Sequence, residues 1–317
     1  MKNPILPPET GGPPEGLLLV NKPRGPSSHA VVAGLRRALG QPRAGHTGTL
    51  DPEASGLLVV LLGRATRIGR YLPEQIKEYD GTIALGLRTA TDDAAGEVLS
   101  RWDGPMPADE AIAHAAAALT GTISQRPPDF SAKKVGGVRS YRRARRGKSL
   151  DLEPVEVVVR EFRIERGSGP IRGFRASVST GTYIRALARD LGEALGCGAS
   201  LHSLRRVASG PFRLGDALDP GAPPATLRER VLPPAGIPVQ VPTVTLEPPQ
   251  ATAFLCGRAV SLPPDAHAQS PGPVRVLSDH GTLLGFAESA PGPGGAVLSP
   301  RVVLQDREDG PPGEAVI

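Results

Sequence analysis

The 317-residue sequence has few cysteines and no long apolar run. Its two cysteines, Cys197 and Cys256, are too few for a disulfide scaffold in a chain of this length, and neither stands in a Cys/His cluster with metal-ligand spacing. No stretch approaches the roughly 18 apolar residues of a membrane span, and residues 1–16 lack the apolar run of a signal peptide. We therefore expect a soluble, cytoplasmic protein without a zinc or iron–sulfur centre.

Signatures of nucleotide-binding and metal-binding enzymes are also missing. Gly147-Lys148-Ser149 ends like a P-loop, but position 142, where that motif needs a glycine, is Arg142. Residues 167–172 carry an arginine where a dinucleotide fingerprint needs its third glycine, and no two of the six histidines stand four residues apart. The sequence thus argues against nucleotide cofactors and bound metals.

Glycine and proline are abundant, with 39 and 35 residues, which disfavours a helical bundle and favours a turn-rich architecture. The unbroken apolar run at 57–62 predicts a central strand, and apolar residues at helical spacing predict an amphipathic helix over 182–195. A Pro/Ala-rich stretch at 220–242 is the best linker candidate. We predict an α+β fold with a flexible N-terminal tail (1–14), a mixed-sheet catalytic domain (15–239) and a small β-rich C-terminal domain (240–317).

Positive charge is concentrated in one segment, although the net charge is only +5. Between residues 126 and 148, here called the basic segment, nine Lys or Arg residues stand against one acid, so the segment has a net charge of +8 and the rest of the chain sums to −3. This distribution favours contact with a polyanion backbone over a merely solvated loop. The predicted backbone-contacting residues are Lys133, Lys134, Arg139, Arg142, Arg143, Arg145 and Arg146.

A polar loop at 45–52 precedes the predicted buried strand. Its two glycines allow tight turns, and Asp51 is held between Leu50 and Pro52. An aspartate in such a place is more often a turn or capping residue. The density of Gly, His, Thr and Asp, together with the basic segment downstream, adds a second hypothesis, a reactive carboxylate beside a polyanion site.

Six motifs follow one another in the sequence, at residues 21–28, 45–58, 77–79, 86–89, 126–137, and 181–185 continuing to 204–206. In this order they make the sequence resemble the bacterial tRNA pseudouridine synthases of the TruB family. The resemblance covers most of the chain, and its C-terminal domain resembles a PUA RNA-binding domain loosely. Phe130 stands where the family often has tyrosine.

This resemblance implies isomerisation of uridine to pseudouridine in the T-arm of tRNA, at the position conventionally numbered 55, without a cofactor. Asp51 would be the nucleophile, and Arg185 would pair with it and orient it. Tyr79, the third catalytic candidate, would stack on the target uracil and take part in proton transfer at C5. Without the motif match, Arg185 would be read as a helix-surface arginine and Tyr79 as an ordinary strand aromatic.

Four further residues are implied to contact the substrate. Leu204 would line the uracil pocket, and His46 would fill the space left by the extruded base, although a lone loop histidine is more often a hydrogen-bonding residue. Lys22 and Tyr183 lie in matching motifs and would also bind the substrate.

The predicted partner is the tRNA T-arm stem-loop, and we expect a monomer that binds neither a membrane nor a nucleotide cofactor. Two other classes of protein compete with this reading. The first is a non-catalytic tRNA-binding or tRNA-folding factor, which would use the basic segment without needing Asp51. The second, a dehydrogenase or ATPase acting on a metabolite, is disfavoured by the missing fingerprints and the clustered charge.

Overall fold

The structure is a computed structural model that describes residues 12–73, 76–128, 153–263, 270–292 and 294–304, with the backbone of 134–135 and 138–139. Most of the predicted N-terminal tail therefore lies outside the described residues. So does most of the basic segment: the residues Lys133, Arg142, Arg143, Arg145 and Arg146, and the side chains of Lys134 and Arg139.

Eighteen strands and five helices make up the described chain. The strands are β1 (Gly16–Lys22), β2 (Ala44–His46), β3 (Ser55–Leu62), β4 (Lys77–Leu85), β5 (Leu87–Thr89), β6 (Val98–Arg101), β7 (Gly121–Gln125), β8 (Lys134–Val135), β9 (Val138–Arg139), β10 (Val155–Ile164), β11 (Ile171–Val178), β12 (Ala199–Ser209), β13 (Phe212–Arg213), β14 (Thr243–Leu246), β15 (Val260–Leu262), β16 (Gly272–Ser278), β17 (Leu283–Gly292) and β18 (Gly295–Val303). The helices are α1 (Ser28–Leu39), α2 (Asp109–Ala118), α3 (Ile184–Ala194), α4 (Pro224–Glu229) and α5 (Pro248–Leu255). Within these described parts, no helix is long and apolar enough to cross a membrane.

A nine-stranded mixed sheet forms the larger part of the fold. Its order is β1-β3-β12-β4-β11-β10-β7, with β2 added to β3 and β13 to β12. The β3–β12 pair is parallel, whereas its other pairs are antiparallel. At the centre, Arg206 on β12 lies opposite Tyr79 on β4. The predicted α+β class with a mixed sheet is confirmed.

Helices α1, α2 and α3 pack on this sheet. Helix α1 begins where the Ser27 hydroxyl accepts a hydrogen bond from the Ala30 amide and ends at Gly40 in the left-handed conformation. Helix α3 packs closely on β12 because Gly192 has no side chain, and a Cβ there would lie 2.0 Å from the Ala199 nitrogen. The C-terminal part of α3 is thereby fixed against the start of β12.

The C-terminal part forms a separate five-stranded sheet in the order β14-β16-β17-β18-β15. Its apolar side contributes to the same core cluster as the first sheet, where the rings of Tyr71 and Phe286 stack with centroids 4.3 Å apart. Leu17 and Leu57 from the first sheet belong to this cluster. The C-terminal domain is β-rich, as predicted, and the boundary at residue 240 stays a prediction.

We expect Phe286→Ala to lower the free energy of unfolding by about 3 kcal/mol, because it leaves a cavity and removes the ring stacked on Tyr71. Leu99→Ala is the control, since Leu99 is largely exposed on β6. Denaturant unfolding measures both. An equal effect of the two substitutions would show that the two sheets do not stabilise each other through this cluster.

Candidate active site

The loop that carries Asp51 is held by buried polar contacts on both sides of that residue. Leu50 is buried, and its backbone amide and carbonyl both bond to the Ser28 hydroxyl at 2.9 Å. After the loop turns, the Ala54 amide donates to the Asp51 carbonyl at 3.1 Å. The Asp51 side chain itself remains 44 % exposed. A rigid backbone therefore presents a reachable carboxylate.

The side chain of Lys22, which the sequence predicts to bind the substrate, is directed into the protein. Its ammonium, at the end of β1, is fully buried and donates to the carbonyls of Pro23, Pro52 and Ala54 at 2.9, 3.1 and 2.7 Å. Burial lowers the pKa of Lys22, and the Asp51 charge partly opposes this shift. Because all three donors bond to the backbone, Lys22 is a positioning residue for the Asp51 loop.

Arg185 lies in the first turn of α3 with its guanidinium between two carboxylates. Its Nε is 3.0 Å from Asp51 Oδ2, and its Nη1 is 3.6 Å from Asp93 Oδ2. Nη1 also donates to the Thr91 carbonyl at 3.1 Å. The Arg185 side chain is only 7 % exposed, so its charge is little screened by water. These contacts of the Arg185 guanidinium set the direction of the Asp51 carboxylate.

Sequence reasoning missed Asp93, the second carboxylate on Arg185. The only available signal was an Asp92-Asp93 pair shortly after the motif at 86–89. The contact joins a loop to a helix more than 90 positions away, and neither local periodicity nor spacing shows such a pairing.

A second arginine, Arg189, lies one helical turn after Arg185 and binds the loop that carries Asp92 and Asp93. Its Nη1 is 3.2 Å from Asp92 Oδ2, and its Nη2 donates to the Arg126 carbonyl at 2.9 Å. Burial raises the pKa of Asp92, and the neighbouring Arg189 charge opposes this shift. Helix α3 therefore joins the loop around Asp93 to the start of the basic segment.

A narrow cleft opens beside the Asp51–Arg185 pair. Asp51, Asp93, Arg185 and Leu204 are among the residues that line it. Tyr79 is 6 % exposed and belongs to the adjacent apolar cluster, against which Leu204 packs. The structure thus brings Asp51, Arg185 and Leu204 to one cleft, with Tyr79 in the core next to it.

Two other predicted substrate-binding residues lie at the edges of this arrangement. Tyr183 precedes α3 and is half-buried, and its backbone amide and carbonyl both bond to the Gln125 side chain. His46, on β2, is absent from the lining of the cleft and instead faces a separate cavity that includes Arg67 and Arg70. Burial lowers the pKa of His46, and the His29 ring packs edge-on against it.

The chemistry that this geometry permits is that of a carboxylate. A side chain fixed by a buried guanidinium, yet open to a cleft, suits a nucleophile or a general base. Among the described residues, no group of three His, Cys, Asp or Glu side chains is placed to hold a metal ion. The fold and the site together present one positioned and accessible aspartate at a cleft.

Comparison with protein families identifies the class of protein. The model described as "TruB family pseudouridylate synthase (N terminal domain)" matches residues 36–184, and two models of TruB C-terminal domains match residues 185–219 and 242–304. The chain belongs to the TruB family of pseudouridine synthases.

Curated relatives support this membership over most of the chain. The tRNA pseudouridine synthase B of Thermobifida fusca (strain YX) is 43 % identical over 296 residues, which are 88 % of this chain and 96 % of the relative. The tRNA pseudouridine synthase B of Synechococcus sp. (strain WH7803) is 40 % identical over 306 residues, covering 93 % and 99 %.

Solved structures with the same fold come from Cbf5 assemblies. A Cbf5-Nop10-Gar1 complex contains a chain with a TM-score of 0.69 and 25 % identity, covering 97 % of this chain and 92 % of that one. The archaeal box H/ACA sRNP Nop10-Cbf5 complex gives a TM-score of 0.70 at 24 % identity, covering 98 % and 94 %. The second likeness is one of fold alone.

We expect Lys22→Met to lower the free energy of unfolding by about 2 kcal/mol, because three buried carbonyls lose their donor. Arg24→Met is the matched control: Arg24 is exposed and only pairs with Glu53 on the surface, so its loss changes stability by less than about 0.5 kcal/mol. Thermal and denaturant unfolding compare the two. An unchanged free energy of unfolding in Lys22→Met would contradict the positioning role assigned to this residue.

Proposed function

We propose that this protein converts uridine 55 in the T-arm of tRNA to pseudouridine, acting as a cytoplasmic monomer. The observation that supports this proposal most directly is the contact of 3.0 Å between Asp51 and Arg185 at the cleft. The two residues come from two motifs of the family that the chain belongs to. The relatives' name, tRNA pseudouridine synthase B, supports tRNA as the substrate.

The proposed reaction is an isomerisation within one nucleotide. The N1–C1′ glycosidic bond breaks, the uracil turns, and C5 bonds to C1′; C5 then loses a proton, and N1 gains one. Asp51 attacks C1′ or assists the departure of uracil, for which an anionic carboxylate that can leave again is suited. Arg185 keeps Asp51 directed at the sugar through both steps. No electrons are exchanged with a cofactor.

The target base must leave its stack to reach Asp51, at a cost of a few kcal/mol. In this proposal Tyr79 stacks on the extruded uracil and Leu204 closes the pocket. Tyr79 is almost fully buried between sheet and loop, so uracil binding requires a small opening at Leu204, which is half-exposed. His46 occupies the gap left in the RNA, and Tyr183 binds beside α3.

Binding of the tRNA body is assigned to the basic segment and to the C-terminal domain, which resembles a PUA domain. The segment's cations would contact phosphates, and such contacts are independent of base sequence. Its first residue, Arg126, is tied by its carbonyl to Arg189 on α3. RNA bound there would lie next to the cleft. A boundary at residue 240 would place the second sheet in a domain of its own.

A non-catalytic tRNA-binding factor is the competing function. Such a factor needs a positive surface but has no use for an exposed carboxylate held by a buried arginine. The two functions therefore differ in what they require at Asp51.

We expect Asp51→Asn to abolish pseudouridine formation while tRNA affinity stays within about twofold, because the amide keeps the shape but is not a nucleophile. Tritium release from C5-labelled uridine measures turnover, and filter binding measures affinity. A tRNA with cytidine at position 55 is the substrate control and should release no tritium. Turnover by Asp51→Asn would contradict the assigned role, and release from the cytidine-55 tRNA would contradict the assigned position.

We expect Arg185→Lys to lower kcat roughly 100-fold with little change in KM, because lysine cannot contact Asp51, Asp93 and the Thr91 carbonyl together and the carboxylate loses its direction. Arg189→Lys is the matched control, one turn away and without a contact to Asp51 among its bonds. Single-turnover kinetics separate the two variants. If kcat fell equally in both variants, the two arginines would act only by stabilising the loop that carries Asp92 and Asp93.

A further inference from the structure

The side chain of Arg206 is buried beneath the loop that leads to Asp51 and keeps one donor unused. It is 1 % exposed; its Nε donates to the Leu57 carbonyl at 2.7 Å, and its Nη2 donates to the Gly48 carbonyl at 3.0 Å. Its Nη1 is buried and has no hydrogen-bond partner. Leaving a charged N–H without an acceptor is costly, so its retention calls for an explanation.

Lys77 supplies a second cationic group on the same side of Gly48. A Cβ on Gly48 would lie 3.1 Å from Lys77 Nζ and 3.5 Å from Arg206 Nη1. The space that the missing side chain leaves free is thus within reach of both donors. Burial and then the Arg206 charge lower the pKa of Lys77 to about 8, and no carboxylate is among the causes of that shift.

The pair lies close to the reacting centre. Lys77 and Tyr79 are two residues apart on β4, so their side chains are on the same face of the strand. Arg206 is directly opposite Tyr79 in the sheet register, which places it on that face as well. Gly48 comes three residues before Asp51. Any anion bound between the two cations would be next to the nucleotide that Tyr79 and Asp51 hold.

We propose that Lys77 and Arg206, on the two sides of Gly48, bind one backbone phosphate of the RNA adjacent to the target uridine. Lys77, which is half-buried, makes the first contact, and a small movement of the loop brings Arg206 Nη1 into use. Gly48 is required because a side chain would occupy the position between the donors. This assignment rests on the proposed function, which takes the anion to be part of an RNA and places the target uridine at Tyr79 and Asp51.

The first experiment measures how a fluorescent T-arm stem-loop binds to the full chain carrying Lys77→Met or Lys77→Arg. Lys77→Met should weaken binding roughly tenfold and reduce the slope of log K against log salt by about 0.7 to 0.9, the value for one lost phosphate contact. Arg163→Met is the control, an exposed cation on β10 in the same sheet, and should change neither quantity.

The same variants are compared at pH 7 and pH 9. Because free Lys77 loses its proton near pH 8, wild-type affinity should fall by up to about tenfold over this range beyond the fall seen with Lys77→Arg, which stays charged. Lys77→Met should lack this extra fall. A purely structural lysine would give the three proteins the same pH dependence.

A methylphosphonate scan of the stem-loop identifies the phosphate. One neutral linkage beside the target uridine should weaken binding to wild type but have no further effect on Lys77→Met. Inorganic phosphate, titrated into the protein without RNA, tests the other source of this anion. If inorganic phosphate bound at Lys77 as tightly as the stem-loop does, the assignment to RNA would be overturned. The proposal would also be overturned if every methylphosphonate linkage affected wild type and Lys77→Met equally and the salt slope of Lys77→Met were unchanged.

These readouts are independent of turnover. If the wild-type protein formed no pseudouridine in any tRNA, the proposed function would fail, while the binding comparison between wild type and Lys77→Met would still decide the phosphate site.

Discussion

The active site depends on the ion pairs that the Arg185 guanidinium makes with Asp51 and Asp93. It is the point where three separate parts of the chain meet: the loop before β3, the loop after β5, and the first turn of α3. A buried guanidinium with unpaired donors would be costly, so each part keeps the other two in place. The sheet and the close packing of α3 on β12 serve to bring these three parts together.

Much of this architecture could be predicted from local sequence. The run at 57–62 lies within β3, and the helix predicted over 182–195 is α3, shortened at both ends. Apolar periodicity is a local property, so it identifies elements well. The motif at 45–58 likewise indicated Asp51, because a loop before a buried strand is visible in the sequence. What such patterns lack is the direction of each side chain.

Two residues, Lys22 and Asp93, show this limit. Lys22 stands in a family motif beside the site, but a motif does not reveal that its ammonium points inward to three carbonyls. Asp93 contacts Arg185 only because the sheet folds a distant loop onto α3. Both are matters of tertiary geometry. The RNA-binding role of the basic segment, most of which lies outside the described residues, remains a prediction from charge alone.

The shared core cluster around Tyr71 and Phe286 has a consequence for synthesis of the chain. Leu17 and Leu57 lie in the first sheet and share this cluster with Leu283 and its neighbours in the second sheet. During translation this apolar surface stays open to water until the last strands emerge. An incomplete chain that lacked the second sheet would therefore expose part of this cluster and remain a substrate for chaperones.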